Sequence, residues 1–122
     1  MVRKTRIRSI YRIPGGPDAV AKARQVAISA LRDTDAPELI ENVSLLLGEI
    51  MADRMSRNHT DPRLTIDVRH AGNHHRWCVV DRGTPTLPNG LRSTALDEIA
   101  EAWGVSRKAG LTLTWFQLNS GG

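Results

Sequence analysis

Glu49 and Asp53 lie four residues apart within residues 45–57, which read LLLGEIMADRMSR. On a helix this spacing projects both carboxylates from one face, a turn apart, where like charges repel. A bound metal ion or a partner's basic group would offset that repulsion, since carboxylate oxygens are the usual ligands of hard cations. The plainer account is a solvated helix face on which Arg57, four residues after Asp53, neutralises one charge. A further carboxylate stands in Asp81-Arg82-Gly83, directly after the apolar run Trp77-Cys78-Val79-Val80. That placement puts Asp81 at a sheet edge, where a ligand could donate hydrogen bonds to it and Gly83 would let backbone approach closely. A turn-initiating Asp gives the same pattern.

Other chemistries find less support in the residues. His70, His74 and His75 cluster near Cys78, but their spacing matches no standard zinc pattern, and adjacent His74 and His75 point to opposite faces of a strand. No serine occupies a Gly-x-Ser-x-Gly elbow, and there is neither a P-loop nor a Gly-x-Gly-x-x-Gly turn. Cys78 is the sole cysteine, which excludes an internal disulfide, and its apolar setting suits a buried thiol better than a nucleophile. Of the 17 basic residues 14 are arginine, and Arg3, Lys4, Arg6, Arg8 and Arg12 crowd the N-terminus. Such a strand either binds nucleic acid or keeps a sheet edge from pairing with another chain. With one Tyr and one Phe, the chain has no aromatic platform for stacking bases, which favours the protected edge.

The elements that must position these groups follow from periodicity. Ile7, Tyr11 and Ile13 alternate with Arg6, Arg8 and Arg12, predicting a strand over residues 5–13. Pro14-Gly15-Gly16 breaks it. Pro17 then opens a helix with Val20, Ala23, Ala27, Ile28 and Leu31 at helical spacing. A second helix begins at Pro37-Glu38, buries Leu39, Val43, Leu46 and Ile50, and carries Glu49 and Asp53 near its end. Leu64, Ile66 and Val68 predict a strand, Ala71-Gly72-Asn73 a hairpin turn, and residues 75–80 a return strand apolar on both faces, as at the centre of a sheet. After a loop containing Pro85 and Pro88-Asn89-Gly90, a third helix capped by Ser93 or Thr94 is expected to present Leu96, Ile99, Ala100 and Trp103 and to end at Gly104. Residues 111–118 form the last strand, followed by a loose tail. This order predicts an α+β two-layer sandwich: a mixed, mostly antiparallel sheet with helices on one face, in a single domain over residues 1–122. No window approaches the roughly 18 apolar residues of a membrane span, and no apolar signal core follows the basic start, so a cytoplasmic protein without membrane contact is expected.

Taken together, these stretches resemble the anti-sigma-factor type of histidine-kinase-like ATPases (the GHKL or Bergerat fold), small actinobacterial ATP-binding regulators related to serine-protein kinases that control sigma factors. Ile13-Pro14-Gly15-Gly16-Pro17 with Ala19-Val20-Ala21-Lys22-Ala23-Arg24 is similar to that family's entry into its first helix. Leu46-Leu47-Gly48-Glu49-Ile50-Met51-Ala52-Asp53 resembles its second-helix motif, in which a Glu is followed four residues later by Asn. Val79-Val80-Asp81-Arg82-Gly83 with Pro88 resembles the segment that recognises adenine, and Ile99 to Val105 with Thr114 to Leu118 resembles its last helix and strand. The resemblance implies Glu49 as general base, Asp53 in the place of the magnesium-holding Asn, Asp81 as acceptor of the adenine amino group, and Gly83 and Gly90 as parts of the nucleotide loop. An active form would use ATP and Mg2+ to phosphorylate a partner's Ser or Thr.

The same comparison of motifs exposes departures. Pro85 replaces a second loop glycine, the glycine-rich cover over the phosphates is reduced to Gly90, and the connection from Asp81 to the third helix is about a dozen residues, short for a lid. Arg92 would supply phosphate contacts by its bidentate fork or be a solvated loop arginine. Thr112 stands near where many relatives place a lysine or small polar residue. The pattern therefore points to a degenerate (pseudo)kinase rather than an active serine kinase. Its expected role is regulation by binding a protein partner, a sigma factor or phosphorylatable antagonist, with ATP binding weakened or lost. An alternative is a basic module that contacts nucleic acid through its arginine-rich first strand. A homodimer paired through that strand is compatible with the pattern.

Overall fold

The computed structural model describes residues 6–32, 36–57, 63–85 and 94–120. The elements are β1 (Arg6–Ile13), α1 (Ala19–Leu31), α2 (Leu39–Arg57), β2 (Leu64–Ala71), β3 (His74–Asp81), α3 (Thr94–Ile99), β4 (Ala102–Lys108) and β5 (Leu111–Asn119). The strands form one sheet in the order β1-β2-β3-β5-β4, and all four neighbouring pairs are antiparallel. β3, whose run Trp77-Cys78-Val79-Val80 is apolar on both faces, takes the centre, with Trp77 and Val79 buried and Cys78 and Val80 partly so.

Period-two alternation divides the sheet into two faces. Ile66, Val68, Trp77, Val79, Phe116 and Leu118 point to the helical layer and are buried there. Trp77 lies parallel to Phe116 across the β3–β5 pair, with ring centroids 6.4 Å apart. The intervening residues of every strand form an open face that no described helix covers.

The helices pack because α1 is lined with small residues. Ala19, Ala23 and Ala27 are fully enclosed, and Gly48 of α2 faces the same helix, where an added Cβ would come 3.6 Å from Val20 Cγ1. This close approach seals Leu46, Leu47, Ile50 and Met51 beneath it, each contributing roughly 1.5–3 kcal/mol by leaving water. The expected stripe on α2 (Leu39, Val43, Leu46, Ile50) is buried in full; on α1, Val26 replaces Ile28, which stays 36% exposed.

The end of the third helix differs from the expectation. α3 stops at Ile99, and Trp103 and Gly104 belong to an additional strand, β4, at the sheet's edge. The spacing of Leu96, Ile99, Ala100 and Trp103 fits a helix, but seven register pairs with β5 outweigh that local preference. Glu101 N–H already donates to Gln117 O at 2.8 Å. Gly104 serves packing and not helix termination, since a Cβ there would lie 2.9 Å from the Trp115 ring. The β4–β5 hairpin closes through Ala109 and Gly110, both at positive φ (53° and 78°), the geometry of a type I′ turn.

Candidate functional site

α2 and the C-terminal end of β3 converge on one buried ion pair. Arg54 is the last inward residue of a stripe that steps through Val43, Leu47 and Ile50, so helical geometry carries its guanidinium into the core. There Nε donates to Asp81 Oδ2 at 2.7 Å and Nη2 to Asp81 Oδ1 at 2.8 Å, a two-pronged pair whose side chains are both 0% exposed. The Gly83 amide also donates to Asp81 Oδ1, at 2.7 Å, which turns the chain sharply out of β3. Thr112, opposite Asp81 on β5, donates its hydroxyl to Gly83 O at 2.6 Å. Arg107 of β4 reaches both Gly83 O (3.3 Å) and Thr112 Oγ1 (3.2 Å). The first turn after β3 is thus held from three other elements.

The residues singled out from the sequence are placed as follows. Asp81 and Gly83 come together as described. Glu49 and Asp53 sit half-buried on α2, one turn apart, and the Asp53 carbonyl accepts the Ser56 hydroxyl at 2.7 Å. No group of three His, Cys, Asp or Glu side chains able to hold a metal occurs among the described residues. Gly90 and Arg92 lie outside the described residues, as does the loop in which they stand.

Arg54, missed in the motif reading, carried a readable signal. A charged side chain on an otherwise apolar helical stripe is not buried without a partner. Arg107 carries no comparable mark, because in sequence it is one of two adjacent basic residues before a turn.

The histidines divide as the strand geometry requires. His74 points to the open face and bonds Asn119 Oδ1 at 2.9 Å, whereas His75 is buried and stacks on His70 with centroids 4.4 Å apart. Burial, reinforced by His70, lowers His75 to about 4, against a weaker opposing pull from Glu38. The Cys78 thiol is pushed up to about 11 by burial and by Asp67, consistent with a packed thiol and not a nucleophile. Arg8 of the basic first strand forks onto Asp67 at 2.9 and 3.2 Å.

A solved structure, that of the RsbU and RsbW domains of a Mycobacterium tuberculosis protein, matches 92% of the chain with a TM-score of 0.73 at 18% identity. The chain has an RsbW-like α+β fold, a five-stranded antiparallel sheet with helices on one face. It spans 32% of that longer chain. No family model and no curated protein matches the sequence. α2 carries Glu49 and Asp53, and it is its Arg54 that meets the Asp81 turn. No helix among the described residues is long and apolar enough to cross a membrane.

Proposed function

We propose that the chain is a regulatory protein of the anti-sigma-factor type, acting by binding a protein partner, with ATP binding weakened or lost. The RsbW-like fold supports the regulatory half of this reading. The observation that carries the other half is the enclosure of Asp81: its two oxygens accept three hydrogen bonds from Arg54 and Gly83, and no part of the side chain reaches solvent. An adenine amino group has no oxygen there to approach. The residues present therefore do not fit the base of ATP, and no phosphoryl-transfer step is derived through Glu49 or Asp53.

The partner class is a sigma factor or a phosphorylatable antagonist. Calorimetric titration with magnesium and a non-hydrolysable ATP analogue is expected to give no saturable heat at millimolar ligand. Titration with a panel of purified sigma factors and antagonists is expected to give at least one saturable complex in the absence of nucleotide. Saturable nucleotide binding to the wild-type chain would return it to the active-kinase reading.

A further inference from the structure

The sheet's open face concentrates the molecule's excess charge. Arg8, Arg12, Arg69, Arg76 and Lys108 project from it, all exposed, and Asp67 is the one carboxylate among its described residues. Among the described side chains this face therefore carries five basic groups against one acidic one, on a chain whose net charge is +4. Asp67 is already engaged by Arg8 at 2.9 Å, with Arg69 at 3.6 Å. Between these cations the face is apolar: Val80, Leu111, Leu113 and Trp115 are only partly buried, and Ile10 is 51% exposed.

Two grooves meet on this surface at Val80. One, of about 230 Å³, runs between Asp67, Arg69, Arg76, Cys78 and Leu113. The other, of about 590 Å³, extends past Thr65 and Leu111 to the end of the sheet, where Arg12, Arg63 and Arg82 line it and it reaches Asp81, whose carboxylate is already held by Arg54. An apolar floor with arginines at both ends calls for a ligand of apolar and anionic character.

Trp115 decides against a stacked base. The Arg76 guanidinium lies over the ring, 4.4 Å from the centroid, and the ring also packs against Gly104, where an added Cβ would come 2.9 Å from it. A base could stack on the indole face under Arg76 only by displacing that guanidinium. A second copy fits poorly as well, because a two-fold contact would oppose like charges, and Asp67, the carboxylate among the face's described residues, is already engaged by Arg8.

We propose that the open face of the sheet is the docking surface for an acidic, amphipathic segment of a protein partner. Its apolar side chains rest on Val80 and Leu113 and its carboxylates meet Arg12, Arg69 and Arg76. This rests on the partner-binding reading above and names the surface through which it acts.

The probe is a synthetic helical peptide with leucines on one face and glutamates on the other, titrated into the 15N-labelled full chain. Saturable binding is expected, with amide shifts on β3 and β5 around Cys78 and Leu113. The affinity is expected to fall at least tenfold in Leu113→Glu, and likewise in Arg69→Glu, where no packing is disturbed, while Arg24→Glu on α1 leaves it unchanged. Three results would overturn the proposal: shifts confined to α1 and α2, equal or tighter binding of duplex DNA or of the same peptide with lysines for glutamates, or a sedimenting dimer abolished by Leu113→Glu. A sigma factor from the panel that binds Leu113→Glu and Arg69→Glu with wild-type affinity would refute this surface while leaving the regulatory reading intact. Conversely, a peptide that titrates the face when no panel member binds would sustain the surface and refute the choice of partner class.

Discussion

Replacing Arg54 by methionine removes the guanidinium but keeps most of the stem that fills the space under α2. Asp81, 0% exposed, then faces the core with only the Gly83 amide as donor. Breaking a buried pair from one side costs about 3–5 kcal/mol, because the remaining charge has lost both water and partner. Native domains are stable by roughly 5–15 kcal/mol, so this is about a fifth or more of the total. The corresponding fall in Tm is about 10–20 °C, at roughly 3–5 °C per kcal/mol for a domain of this size. Asp81→Asn should cost a similar amount from the other side, since a neutral amide cannot answer the arginine. The double variant removes both charges, and its asparagine oxygen still accepts the Gly83 amide, so it should lie within about 2 kcal/mol of the wild type. Urea denaturation followed by far-UV circular dichroism on all four proteins gives the coupling energy. A coupling below about 0.5 kcal/mol, with the two single losses simply adding, would refute the enclosure of this pair.

Three further outcomes are expected. Ala109→Asn should raise stability by about 0.5–1 kcal/mol, because Ala109 holds φ at 53°, a conformation asparagine tolerates far better; thermal melts read the gain. Gly104→Ala should cost about 1–3 kcal/mol, since its methyl would lie 2.9 Å from the Trp115 ring, and the displaced indole should change its fluorescence. His75, lowered to about 4 by burial, is neutral in the folded chain but titrates near 6.5 when unfolded; its stabilising share is therefore complete above pH 6.5 and falls away between 6.5 and 4, by about 3 kcal/mol in all. Melts from pH 7 to 4 should show that decline in the wild type, and less of it in His75→Phe.

What could be read in the residues depended on whether one element or two supplied the signal. β2 was legible because Leu64, Ile66 and Val68 alternate with Thr65, Asp67 and Arg69, so a single strand records which side is wet. The buried stripe of α2 was legible, but not the occupant of Asp81. Arg54 and Asp81 are 27 positions apart, and no local pattern shows that the end of α2 crosses the end of β3. β4 was hidden for another reason. As an edge strand it is mostly exposed, so Ala102 to Lys108 show little alternation, and the helical spacing of Leu96, Ile99 and Trp103 spoke louder. Its real marks were Gly104 and the Ala109-Gly110 turn, both meaningful only beside β5.

The position of β5 has a consequence for how the domain comes into being. It is the final strand in chain order, yet it lies inside the sheet, flanked by β3 and β4. While the chain is being synthesised, β1, β2 and β3 can assemble around their local hairpin, but β3 keeps a bare edge and β4 has nothing to pair with. Residues 111–119 must leave the ribosome before either vacancy closes. A chain arrested ahead of Leu111 would therefore present an unpaired central strand, a template for aggregation and for chaperones, until the final nine-residue strand slots between its neighbours.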